Sequence, residues 1–246
     1  MAHQSESAQS KERSKREVRE EKILDTAAEL ILRWGYNKTT LDDIARQAGV
    51  AKGTLYLHWK TRNDLFLALL RREDLKLAED ARQRLAADPE GVTLHSLIKH
   101  GVLATLKNPL AKAMLLMDSN LLGELTRKDF VSSSFPERMA GWRFFLESLQ
   151  AQGAVRTDIG IEEHFYMLCA IVMGFLMIDQ WMPENFTYSD EAIADMTAET
   201  IQRTLEPSAA RPVAGMEASN RAFNAYMDKA LELLKKERNN GEEITS

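Results

Sequence analysis

The stretch Thr39-Thr-Leu-Asp-Asp-Ile-Ala-Arg-Gln-Ala-Gly-Val-Ala-Lys-Gly-Thr-Leu-Tyr-Leu-His-Trp-Lys-Thr-Arg-Asn-Asp-Leu65 decides the fold, because it sets two short amphipathic patterns around one glycine and then opens a third. Thr40-Leu-Asp-Asp43 has the form of a capping box, a hydroxyl at the helix start answered by a carboxylate three residues on. Behind it Leu41, Ile44, Ala45 and Ala48 share one face, and Gly49 stops a helix of about two turns. A second short helix, from about Ala51 to Trp59, sets Ala51, Leu55 and Trp59 inward. Small Ala45 falls where the two helices approach, Gly49 supplies the turn and Val50 fills the gap, which is the pattern of a helix-turn-helix. Thr61-Arg-Asn-Asp64 then caps a long helix through Leu65, Phe66, Leu69 and Leu70. Upstream, Ile23, Ala27, Leu30, Ile31 and Trp34 form one stripe that ends at Gly35, so a preceding helix completes a small helical head.

The outward face of the helix after Gly49 has unusual chemistry for a solvated surface. Gly53 inside a helix costs roughly 1 kcal/mol relative to alanine, which makes sense where backbone must approach another surface closely. Lys52 and Thr54 suit base edges or phosphates, Tyr56 offers a hydroxyl to phosphate, and Leu57 suits a thymine methyl. Lys60 and Arg62, just beyond, suit the DNA backbone. Charge points the same way: residues 1–62 hold 12 Lys/Arg against 9 Asp/Glu, while the whole chain carries −5. That excess is slight, so the motif and not the charge carries the nucleic-acid reading.

From about residue 16 to 76, roughly a quarter of the chain, these residues resemble the TetR (tetracycline repressor) family. The resemblance implies that Thr40, Lys52, Gly53, Thr54, Tyr56, His58 and Lys60 face DNA. Together with Thr39, Leu57 and Arg62 they make the candidate DNA-binding set. Trp59 stands where the family more often has phenylalanine and Arg62 where it more often has lysine; both keep size or charge. His58 has a second reading, as a residue packed on the first helix. The organisation that follows is a DNA-binding domain over 16–76, with its helix-turn-helix at about 39–58, a helical regulatory and dimerisation domain over 77–206, and an appended segment over 207–246.

Beyond Pro89 the three- and four-residue recurrence of apolar side chains continues without strand-like alternation, so the chain is predicted to be all-α. Helices are expected at about 93–106, 110–126, 135–152, 161–182 and 189–205, broken by Pro109, Ser134-Phe-Pro-Glu137, Gly153 and Pro183. A linker over Pro207 to Gly215 leads to an extra helix at 216–238 with the stripe Met216, Phe223, Met227, Ala230, Leu231 and Leu234. The tail from Asn239 to Ser246 reads as disordered.

Several function classes fall away. The apolar run Met167 to Ile178 is shorter than the roughly 20 residues that span a bilayer. Met1 to Arg16 is polar and lacks the apolar core of a secretion signal, so a cytoplasmic protein is expected. Cys169 is the single cysteine, which excludes an intramolecular disulfide or a cysteine metal cage and reads as a small buried hydrophobe. Asp42 and Asp43 are explained by capping and the helix dipole. The run Gly49 to Thr54 lacks the residue order of a phosphate loop. His95 and His100, five apart, miss the spacing that puts two metal ligands on one helical face. No set of nucleophile, base and oxyanion donor can be assembled, so no enzyme, cofactor or metal is expected.

The segment 110–178 is rich in Met and aromatic residues. Most of these build core, yet such side chains also line deformable apolar ligand cavities. Met114, Met117, Trp142, Phe145, Phe165 and Met173 are the candidate ligand-lining residues on that basis and by the resemblance. The resemblance also puts the dimer surface on the helices at 161–182 and 189–205, with Gly174, Ile178, Ile193, Thr197 and Ile201 as candidates. The sequence thus reads as a homodimeric regulator of operator DNA, usually a repressor in that family, answering to a small apolar or amphipathic effector. The alternative is an all-α interaction module whose acidic C-terminal helices hold a protein partner.

Overall fold

The computed structural model describes residues 2–88, 93–123, 135–178, 181–183, 185–207, 221, 223–228 and 231–232. Its elements are helical: α1 (Ala2–Trp34), a 3-10 turn (Tyr36–Lys38), α2 (Leu41–Ala48), α3 (Lys52–Tyr56), α4 (Arg62–Ala86), α5 (Leu94–Leu106), α6 (Pro109–Leu115), α7 (Ser119–Leu122), α8 (Phe135–Ala151), α9 (Ile161–Met177) and α10 (Asp190–Leu205). Among the described residues there is no strand.

Side-chain caps fix most of the helix starts. Thr40 accepts from the Asp43 amide, and Thr61 forms a full capping box with Asp64. Thr93 and Ser96 do the same for α5, while Asn108, Asp118 and Ser189 cap α6, α7 and α10. Gly49 ends α2 at φ 65°, where a side chain would be strained. Gly35, at φ 77°, has a second reason to lack a side chain: a Cβ there would meet the Asn120 carbonyl at 2.8 Å. That contact seats α7 against the end of α1.

Two main cores result. In the head, Ile23, Ala27, Leu30 and Ile31 of α1 pack on Ile44, Ala45 and Ala48 of α2, on Leu55 and Trp59, and on Leu65, Phe66 and Leu69 of α4. In the body, α5, α8, α9 and α10 bury Leu94, Val102, Phe145, Leu149, Leu168, Leu176, Ile193 and Ile201 together with Leu85 of α4. A small third cluster, Leu70, Ala113, Met114 and Leu122, lies between α4, α6 and α7. Helix α4 therefore belongs to both cores, a strut of roughly 37 Å at 1.5 Å per residue.

The structure departs from the sequence reading in the start of α1, in two inward assignments and in the helix expected at 110–126. Helix α1 starts at Ala2, far upstream of the apolar stripe, because the charged segment before Ile23 is helical without an apolar period. Trp34 and Ala51, assigned inward, are exposed. The helix expected at 110–126 is two, α6 and α7: Met117 takes φ 50° and Asp118 starts a new helix by accepting from the Asn120 and Leu121 amides. Of the extra helix, residues 223–228 are helical, with Phe223, Met227 and Leu231 buried. Met216, Ala230, Leu234, positions 208–215 and the tail 239–246 lie outside the described residues.

Candidate nucleic-acid interface

Helix α2 runs back along α1, from Thr40 near the end of that helix to Gly49 beside Lys22, and this fixes where α3 emerges. The side chain of Gln47 donates to Glu29 Oε2 at 3.1 Å, and a Cβ on Gly49 would lie 3.8 Å from Lys22 Nζ. Leu55 is then pinned in the head core, so the opposite side of α3 faces outward.

That outward side gathers Thr40, Lys52, Gly53, Tyr56, Leu57 and Lys60, all exposed, with Thr54 half-buried at their centre. Leu57, a large apolar side chain, is 74% exposed beside them. Nothing lies within 4 Å of where a Cβ on Gly53 would stand, so the backbone of α3 is open to close approach. Lys52 Nζ sits 2.8 Å from Asp42 Oδ1, and the hydrogen bond to Asp42 holds the ammonium above its ordinary range. Thr40 donates its hydroxyl to Asp43 Oδ2 at 2.5 Å, and that bond, helped by Arg46, holds the Asp43 carboxyl below its ordinary range.

Three predicted members of the set are placed elsewhere. Thr39 is fully buried and gives its hydroxyl to the Gly35 carbonyl at 2.9 Å. His58 is buried beside Trp59, its Nδ1 3.5 Å from Glu20 Oε2, so the packing reading of this residue fits the fold. Arg62 donates to the Tyr36 carbonyl and lies over the Tyr36 ring, 4.0 Å from its centroid. It is tied into the head and is not presented as a backbone clamp.

Residues 23–69 match the family model of bacterial regulatory proteins, tetR family. That match takes in the part of α1 from Ile23 onward, α2, α3 and the start of α4. The fatty acid metabolism regulator protein of Bacillus subtilis is 36% identical over 74 residues, 26% of this chain and 38% of that protein. The regulator QacR of Staphylococcus aureus is 44% identical over 59 residues, 24% of this chain and 31% of that protein. The chain thus spans about a third of the length of these two curated relatives. The crystal structure of FadR from Bacillus subtilis in complex with stearoyl-CoA superposes with a TM-score of 0.54 at 18% identity, covering 73% of this chain and 96% of that one. At that identity the likeness shows a shared fold.

The candidate ligand-lining residues of this chain do not form one wall. Phe145 is fully buried core, in ring contact with Trp142, Phe223 and Tyr226. Trp142 and Phe165 are half-buried against that same core. Met114 belongs to the separate cluster with Leu70, because α6 turns away from α8. Met117 is 47% exposed in the break between α6 and α7. Met173 is half-buried on α9. Tyr226 is not legible in the sequence as part of this region, since its distance from Trp142 along the chain gives no local pattern.

The candidate dimer residues divide likewise. Gly174 and Ile178 are exposed, on an α9 surface that also presents Tyr166 and Met177. Ile193, Thr197 and Ile201 are a correction. They are buried within the protomer because α10 spends its apolar face on α5 and leaves Glu191, Asp195 and Glu199 outside. His95 and His100 find carboxylates, not each other: His95 Nδ1 lies 2.9 Å from Glu206 Oε2 and His100 Nε2 lies 2.7 Å from Asp88 Oδ2. Among the described residues no cluster of His, Cys, Asp and Glu could hold a metal ion, and no helix is long and apolar enough to cross a membrane. Cys169 is partly buried, and burial pushes its thiol up.

Proposed function

We propose that this chain is a sequence-specific DNA-binding transcription regulator that acts as a homodimer and loses operator affinity when an apolar or amphipathic molecule binds its body. The observation that carries the reading is the exposed surface of α3, where Lys52, Gly53, Thr54, Tyr56 and Leu57 stand together beside Lys60. A short helix pinned by one leucine, with an open glycine and an exposed apolar tip, has the features that a base-reading helix uses in a major groove. One such helix reads too few bases for a unique site. A pair set about 34 to 36 Å apart by two-fold symmetry reads successive grooves, so the operator is an imperfect palindrome. The exposed Tyr166, Gly174, Met177 and Ile178 surface of α9 supplies the apolar contact for that pairing.

The effector side rests on α4, which is shared by both cores and so converts a change in the body into a change in head spacing. A relative of the same fold holds stearoyl-CoA, an amphipathic molecule of the class proposed here. An effector acts only through its different affinity for the two spacings.

The test of the DNA reading uses two substitutions in the full chain. Thr54→Ala is expected to lose roughly 1 to 3 kcal/mol of discrimination against mismatched operator bases, whereas Lys60→Ala weakens all sequences in parallel. Fluorescence anisotropy on a duplex selected from a random pool, and on the unselected pool, separates the two. Equal losses on both duplexes for Thr54→Ala would refute base reading by α3.

A further inference from the structure

We propose that the part of α1 before Ile23 forms a second DNA-contacting surface, which grips the phosphate backbone beside the groove entered by α3. This rests on the DNA-binding reading above. The matched family segment begins at residue 23, yet α1 begins at Ala2, so 21 further residues of helix project from the head. At 1.5 Å per residue that is roughly 31 Å of helix, comparable to a full turn of duplex DNA.

Its direction follows from two contacts. Lys22 Nζ stands 3.8 Å from where a Cβ on Gly49 would be, at the turn before α3, and Glu20 Oε2 lies 3.5 Å from His58 Nδ1, just after α3. Both ends of the recognition segment therefore lie against α1 at residues 20–22. Successive residues of a helix rotate by about 100°, so the sector of α1 between the Lys22 and Glu20 directions is the one that faces α3. Going from Lys22 towards the N-terminus by that rotation puts Lys15 at about 20°, Arg19 at about 60° and Arg16 at about 120° within this sector, which is about 160° wide. Glu17 and Glu21 fall outside it, and Glu21 instead turns to Arg72 of α4 at 3.1 Å.

Over residues 15–22 the result is a basic face with one carboxylate, Glu20, at its edge. Lys15, Arg16, Arg19 and Lys22 are all exposed, and none of them enters a salt bridge among the described residues. Six of the twelve Lys/Arg in the first 62 residues lie between positions 11 and 22. Unpaired cations held on a rigid helix beside a base-reading surface complement a polyanion whose charge runs on past the bases that are read. Among the described residues no arrangement for base readout accompanies them, so this surface contributes affinity and orientation without sequence preference.

The test compares wild type with the full-length triple variant Lys15→Gln/Arg16→Gln/Arg19→Gln on a 40-base-pair duplex of random sequence and on a duplex selected from a random pool. On both, the slope of log affinity against log salt is expected to fall by about 0.9 for each phosphate that the variant no longer neutralises. The ratio of selected to random affinity stays at the wild-type value. Hydroxyl-radical footprints of the variant lose the outermost protected backbone positions on the selected duplex. An unchanged salt slope together with an unchanged footprint overturns the proposal. If the variant fails to fold by circular dichroism, the wild-type footprint decides: protection confined to the two half-sites read by α3 overturns the proposal, and protection of flanking phosphates supports it. A wild type that does not prefer the selected duplex would instead defeat the base-reading function, while the slope on random DNA still decides the role of α1.

Discussion

Replacing Arg72 by methionine removes a charge from the joint between head and body, and its cost can be worked out from the groups around it. The Arg72 side chain is 6% exposed; its Nη2 lies 2.8 Å from Glu73 Oε1, and Glu73 is itself only 9% exposed. Nη1 reaches Glu21 of α1 at 3.1 Å and Asp25 at 2.8 Å, both more than half exposed. The other Glu73 oxygen accepts from Asn108 Nδ2 at 2.9 Å, which ties α4 to the start of α6. Methionine keeps the length and the apolar stem but leaves the Glu73 carboxylate buried without its main partner. Breaking a buried pair in this way costs roughly 3 to 5 kcal/mol, and the surviving interactions with Asn108 and Lys76 set the loss near the lower end, about 3 kcal/mol. The exposed partners on α1 add less than about 1 kcal/mol each. Urea unfolding at one fixed protein concentration reads the change, since a dimer's stability depends on concentration. Arg72→Met/Glu73→Leu is expected to recover most of the loss, because an apolar pair of similar volume replaces a buried ion pair at little cost. A loss below about 1 kcal/mol in the single variant, or a double variant no more stable than the single, would refute the reasoning.

Gly174→Arg puts a bulky charge on the exposed α9 surface and is expected to give monomers by light scattering with loss of tight operator binding; a stable dimer of normal affinity moves the interface elsewhere. Tyr226→Ala removes ring contacts with Trp142 and Phe145, both with centroids 5.6 Å away. A loss of roughly 2 to 3 kcal/mol in urea unfolding is expected, and an unchanged midpoint would show that this segment adds nothing to the body core. A molecule found by thermal shift to bind the body is expected to lower operator affinity roughly 5- to 150-fold in wild type, and less in Trp142→Ala. Saturating ligand without any change in operator affinity would break the coupling.

Where local pattern decides structure, the sequence is informative. The capping threonines 40 and 61, the turn at Gly49 and the inward Leu55 together define the head, because each acts on residues three or four positions away. The exposed face of α3 is legible for the same reason once Leu55 is set inward. Thr39, His58 and Arg62 differ because their partners, the Gly35 carbonyl, Glu20 and the Tyr36 ring, lie outside the helix-turn-helix itself. Periodicity shows that α10 is amphipathic but not what covers its apolar face, so Ile193, Thr197 and Ile201 read equally well as interface or as the core they form with α5. The long charged start of α1 hides for a related reason: a run of charged and polar residues leaves no apolar period to read. Tyr226 and the Arg72 cluster depend on contacts between residues far apart in sequence, which no window of neighbouring residues contains.

The most direct measurement is the affinity of the unmodified full-length chain for a duplex selected from a random pool against its affinity for the unselected pool, at one moderate salt concentration. A site-reading dimer of this fold is predicted to prefer the selected duplex by at least about 1,000-fold. Equal affinities for the two would contradict the claim that the exposed face of α3 reads DNA sequence.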